Sequence, residues 1–169
     1  MVEKGTQTKG NAKKVKRDAK RDVKKIIVFD ADGAVVGRLA AVVAHEALAG
    51  NEVRIVNAEK AVFSGNAEEI TRKYFKRRLQ QDKANPEHSA HWPRRPDLFF
   101  KRTVRGMLPW HTARGHAAFH RIIVFYGAGP SELQGAKREK APKTQEALGR
   151  GQVSVSEICK RLGWTPLNA

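Results

Sequence analysis

The sequence of 169 residues is poor in cysteine: Cys159 is the only one. A lone thiol excludes an internal disulfide and any zinc site built on several cysteines. Long apolar runs are missing too, and nothing approaches the ~18–20 residues that a membrane span needs. The Lys-rich start is not followed by an apolar stretch, so no secretory signal is expected. Catalytic signatures are equally scarce: there is no GxSxG elbow, HExxH, GxGxxG or GxxxxGK[ST]. Acidic residues are few, 17 Asp+Glu against 33 Lys+Arg, which leaves a formal net charge of +16. Such a charge speaks to partners rather than to fold.

The excess is unevenly placed. Residues 1–25 hold 10 Lys/Arg and 3 acids, whereas residues 26–71 hold 3 and 7. Residues 72–121 hold 13 and 3, and residues 122–169 hold 7 and 4. Clustered cations release condensed counterions from phosphates, so this distribution points to a nucleic acid. An anionic membrane fits less well, because residues 1–25 lack an apolar helical face.

Periodicity and punctuation predict an α/β chain. Residues 26–29 read as a buried strand, residues 37–49 as a helix stopped by Gly50, and residues 53–56 as a second strand. A short extended piece at 61–64 precedes a helix opened by Asn66 and running to about Gln80, with Ile70, Tyr74 and Phe75 facing inward. Pro86, Pro93 and Pro96 mark an irregular loop. A helix follows over residues 97–108, with Leu98, Val104, Met107 and Leu108 inward. A short helix at 115–120, a strand at 121–126, a polar linker at 134–152 and a helix opened by Ser156 complete the chain. Alternating strands and helices give a three-layer domain on a mostly parallel sheet. The expected organisation is a basic arm over 1–24, disordered when free, with helix possible from Ala12 to Val23. A core over 25–133 carries the basic segment 92–115, the expected nucleic-acid-binding part, and residues 134–169 form the linker and C-terminal helix.

Gly33-x-x-x-Gly37-Arg38 follows a strand and opens a helix, a place where α/β folds hold phosphate. Without either nucleotide fingerprint, a tight turn with close helix–sheet packing is the favoured account. The six histidines (45, 88, 91, 111, 116 and 120) include the pairs His88/His91 and His116/His120. Neither pair has a third ligand at metal spacing, so polar contacts are expected and no metal. Asp30 and Asp32 sit together in a turn and read as structural. Cys159 reads as a small core residue.

Between Trp92 and Trp110 lie Arg94, Arg95, Lys101, Arg102 and Arg105. Guanidinium forks suit phosphates. The two tryptophans either stack on unpaired bases or anchor the segment.

Five pieces together carry a resemblance: Phe29-Asp-Ala-Asp-Gly-Ala-Val-Val-Gly-Arg-Leu-Ala40, Val56-Asn-Ala-Glu-Lys-Ala-Val-Phe-Ser-Gly65, Arg102-Thr-Val-Arg-Gly-Met-Leu-Pro109, Gly115-His-Ala-Ala-Phe119 and Val124-Phe-Tyr-Gly-Ala-Gly-Pro130. In this order they resemble the L-thirteen family of large-subunit ribosomal proteins, in its archaeal form. Residues 153–163 look like the archaeal C-terminal element, and the arm is outside the pattern.

The resemblance implies a four-stranded parallel sheet with helices on both faces. It also implies a non-enzymatic, cytoplasmic component of the large subunit that binds its major RNA beside neighbouring ribosomal proteins, with no cofactor and no small-molecule substrate. By motif, RNA contacts centre on Arg102, Arg105 and Gly106, with Arg114 nearby and Arg38 at the first helix start. Charge placement adds Arg94, Arg95 and Lys101, the helix cations Arg72, Lys73, Lys76, Arg77 and Arg78, and the arm cations Lys13, Lys14, Lys16, Arg17, Lys20 and Arg21.

Overall fold

The computed structural model describes residues 25–134, 138–140 and 151–166. The arm and the suggested Ala12–Val23 helix lie outside the described residues. In chain order the strands are β1 (Ile26–Asp30), β2 (Glu52–Val56), β3 (Val62–Ser64), β4 (Ile122–Val124), β5 (Arg138–Lys140) and β6 (Gln152–Ser154). The helices are α1 (Val36–Ala49), α2 (Ala67–Leu79), α3 (Pro96–Arg105), α4 (Ala113–His120), α5 (Ser131–Gln134) and α6 (Val155–Arg161).

The domain is mixed α/β around a parallel sheet, as the alternation of elements predicts. β1 pairs with β2 and β2 with β4, all parallel. On the other side of β1, β5 also pairs in parallel, so the order is β4-β2-β1-β5. β5 falls inside the segment read as a linker. Its Arg-Glu-Lys sequence carries no apolar signal, and it joins the sheet edge by backbone pairing with β1. β3 and β6 form a separate antiparallel pair.

Alternation along the strands gives the sheet two unequal faces. Ile27, Phe29, Val53, Ile55 and Ile122 enter the main core with Leu39, Val43 and Ala47 of α1 and Phe99, Phe100 and Val104 of α3. On the opposite face Val28 and Val56 meet Leu133 of α5 and the half-buried Phe125 in a small cluster. The C-terminal helix is part of the main core, where Val155, Ile158 and Cys159 are fully buried.

Three local expectations change. Phe75 is half exposed, and Tyr74 is the buried residue of α2. Leu98 of α3 and Met107 just beyond it face solvent, while Phe99 and Phe100 fill the core. The apolar run 98–100 allowed either helical phase, and the two larger rings take the buried positions. Ser154, not Ser156, caps α6: its hydroxyl accepts from the Glu157 N–H at 3.2 Å. Gly50, at φ 104°, ends α1 in the left-handed conformation expected of a C′ glycine.

Candidate nucleic-acid interface

The basic stretch folds into one surface built on an aromatic cluster. Tyr74 of α2 packs edge-on to Phe99 of α3, with centroids 4.6 Å apart, and both touch Phe63 of β3. Trp92, arriving from the loop between α2 and α3, lies 5.4 Å from Tyr74. Burial raises the Tyr74 pKa, while Arg77 and a hydrogen bond with Thr103 work the other way.

The cluster fixes cations. Arg77 of α2 stands 5.0 Å from the centroid of Trp92, and Arg102 of α3 stands 5.2 Å from the same ring. One indole thus joins guanidinium groups from two helices. Arg105 sits 3.8 Å from the Trp110 ring, and Lys101 sits 4.8 Å from the Phe119 ring. Each contact is worth ~0.5–1 kcal/mol at exposed sites. Their larger consequence is geometric, because a stacked side chain has fewer rotamers left to lose on binding. The tryptophans therefore act as anchors, the second of the two readings open for them. Trp110 is itself held by His116 and Phe119 of α4, at 4.1 and 5.1 Å.

The turn that carries Trp110 is locked from below. The Thr112 hydroxyl accepts from the Gly115 N–H, opening α4 at 3.1 Å, and donates to the Pro109 carbonyl. A Cβ at Gly115 would collide with that same carbonyl. Glycine here is a requirement of close approach rather than of backbone dihedral.

Crowding leaves an electrostatic mark on this face. The Arg102 pKa is lowered, first by burial and then by Arg105 one helical turn away. Lys101, half-buried over Phe119, is lowered by burial. Two partly desolvated like charges side by side are relieved by an anion.

Other predicted cations make hydrogen bonds or ion pairs within the chain. Arg78 donates to the Leu162 carbonyl at 2.9 Å, and Arg94 reaches the Gly163 carbonyl at 3.5 Å. Both therefore cap the C-terminal end of α6, where the helix dipole favours positive charge. The Arg78 pKa is lowered by burial and by Arg94. Arg95 makes a two-pronged pair with the nearly buried Asp97, at 2.7 and 3.2 Å. Arg114 reaches the Leu48 carbonyl at the end of α1, at 3.4 Å.

Arg72, Lys73 and Lys76 are exposed on α2. Arg38 is exposed on the first turn of α1, and Gly106 is exposed just past α3. The six arm cations lie outside the described residues.

The first Gly-rich turn is a structural junction. The Asp30 carboxylate accepts from the Asp32 N–H at 3.0 Å and from the Asn57 side chain at 2.9 Å. Glu59 accepts from the Gly127 N–H at 2.9 Å, and the Asn57 N–H donates to the Gly127 carbonyl. Three of the resemblance pieces thus meet where the strands end and tie their loops together. Among the described residues no cluster of three or more His, Cys, Asp or Glu could hold a metal ion.

The missed feature is the pairing of cations with aromatic rings. Its signal is present as Trp92, Phe119 and Trp110 near basic residues, but the partners come from different elements and only folding joins them.

Comparison with known proteins bears on what such a surface meets. The family described as Ribosomal protein L13 matches residues 24–130. A large ribosomal subunit protein uL13 from Methanocaldococcus jannaschii is 45% identical over 137 residues, covering 80% of this chain and 96% of the relative. The uL13 of Archaeoglobus fulgidus is 39% identical over 145 residues, covering 81% and 87%. That of Methanococcus maripaludis is 40% identical over 130 residues, covering 76% and 95%.

Proposed function

The chain belongs to the ribosomal protein L13 family, and we propose that its α2–α3 face binds large-subunit ribosomal RNA. The family is a structural, non-enzymatic component of the large ribosomal subunit, so the chain's setting is the cytoplasmic ribosome and its process is translation. What carries the RNA reading is the row of ring-held cations Arg77, Arg102 and Arg105, brought together from two helices.

The mechanism we infer is electrostatic and geometric. The α/β core is a rigid platform, completed by a four-stranded sheet with helices on both faces. Arg102 and Arg105 present forks that match phosphate oxygens, and Arg72, Lys73 and Lys76 extend the positive field along α2. A-form RNA hides its base edges in a deep, narrow major groove, so shape and phosphate dominate recognition of its helices. Neutralising closely spaced phosphates lets RNA helices pack and the subunit assemble. The arm cations Lys13, Lys14, Lys16, Arg17, Lys20 and Arg21 are further phosphate contacts in this reading. Arg38 and Arg114 are secondary contacts in this reading. Neighbouring large-subunit ribosomal proteins are the other expected partners.

The test is incorporation. With Arg102→Ala and Arg105→Ala combined, the chain is expected to shift from large subunits toward light fractions in a sedimentation profile. Normal incorporation would overturn the site assignment.

A further inference from the structure

Leu98 is the unexpected residue of this face. A large apolar side chain, 47% exposed, sits among cations rather than in the core. On α3 it lies three, four and seven residues before Lys101, Arg102 and Arg105, so all four share one helical face. That face lines a cleft of about 330 Å³, walled further by Pro93 and Phe119. The wall is mostly apolar and the rim is cationic. Pure phosphate binding requires no such floor, and water is a poor occupant for it. The matching chemistry is a flat, weakly polar group that carries negative charge at its edge.

We propose that this cleft seats one unpaired nucleotide of RNA, its base against Leu98 and Pro93 and its flanking phosphates on Arg102 and Arg105. The proposal rests on the reading that this face binds RNA and adds a contact to a base. Charge complementarity selects the occupant. The three cations are already oriented by Phe119, Trp92 and Trp110, at 4.8, 5.2 and 3.8 Å from the respective ring centroids. Phosphates held at that rim would place an attached base over the floor. RNA recognition beyond shape uses such unstacked bases, which rest on apolar or aromatic side chains. The seat would give the protein a preference for a bulge or loop beside a duplex.

The test is a coupling measurement with full-length protein. The probes are a single-stranded oligouridylate and the same strand with abasic ribose at its central positions. Removing the bases keeps the phosphates, so both strands should show the same salt slope. Wild-type protein is expected to bind the abasic strand about three- to tenfold more weakly, the range that partial burial of one Leu supplies. Leu98→Ser should bind both strands equally, with the melting temperature lowered by only a few degrees because the side chain is half exposed. Equal losses in wild type and variant, or no loss in wild type, would overturn the seat. The combined Arg102→Ala and Arg105→Ala variant separates the two claims. If it weakens both strands while Leu98→Ser shows no coupling, only the seat fails. If it weakens neither strand, the RNA face fails and the seat with it.

Discussion

Two groups of arginines occupy the same basic stretch and do different work. Arg77, Arg102 and Arg105 lie against tryptophan rings with no carboxylate or carbonyl partner among the described residues. Arg78, Arg94 and Arg95 bind the end of α6 and the Asp97 carboxylate. Counted as charge they are equal. Their surroundings differ, because a carbonyl or carboxylate satisfies the guanidinium donors whereas an aromatic face leaves them pointing outward. A ring contact orients a cation and keeps its hydrogen-bonding edge available for a phosphate. Net charge therefore overstates the binding surface, and the partner of each cation decides which side of the account it joins.

The comparison breaks most sharply at Trp92. Replacing it by Ala removes the platform shared by Arg77 and Arg102 and opens the contact with Tyr74. A stability loss of about 2–4 kcal/mol is expected in denaturant titration, at or below the usual cost of deleting a large aromatic because the ring is half-buried. Affinity for ribosomal RNA should also fall in the fraction that remains folded. Trp92→Phe, which keeps a ring, should restore most of the binding; a Phe variant as defective as Ala would remove stacking from the explanation.

Arg102→Ala with Arg105→Ala should cut RNA affinity roughly tenfold or more, since hydrogen bonds to charged groups are the strong ones. Stability should fall by no more than the two lost ring contacts, about 1–2 kcal/mol in total. A large drop in melting temperature would move these two residues into the structural group.

Arg78→Ala should do the reverse. It leaves the Leu162 carbonyl without its donor and is expected to cost about 1–2 kcal/mol of stability, with RNA affinity nearly unchanged. Weakened RNA binding without loss of stability would erase the distinction between the groups.

The smallest effect concerns Cys159. Its thiol is fully buried beside Asp97, and burial, aided by that carboxylate, raises its pKa to about 12. At neutral pH the thiolate that alkylating agents need is nearly absent, so labelling should be slow in the native protein. Loosening the end of α6 with Arg78→Ala should speed the labelling several-fold, whereas Arg102→Ala should leave it unchanged. Equal rates in both variants would mean that Arg78 does not hold the helix.

Much of the fold was legible because strands and helices leave periodic signals. The runs 26–29 and 53–56, the Asn66 cap and the Gly50 stop each state their role locally. β5 was not legible, since Arg138–Lys140 has neither alternation nor apolar content and its pairing with β1 is made by backbone. The phase of α3 was ambiguous because Leu98, Phe99 and Phe100 are contiguous; volume in the core decided it. The basic surface was legible as charge and as the Arg102–Pro109 motif. The division among its arginines was not, because the partners of Arg78 and Arg94 are carbonyls from the other end of the sequence. For Trp92 the sequence allows either an anchor or a stacking platform for bases, and packing between α2 and α3 makes it an anchor.

In this reading the ring-held arginines, not all arginines, face RNA. The salt dependence of binding to large-subunit ribosomal RNA tests it most directly, measured for wild type, Arg102→Ala with Arg105→Ala, and Arg78→Ala with Arg94→Ala. Each lost phosphate contact lowers the slope of log affinity against log salt by about 1. On this reading the slope should fall by about 2 for the first pair and stay unchanged for the second. Equal reductions in both pairs, or a reduction confined to the second, would contradict it.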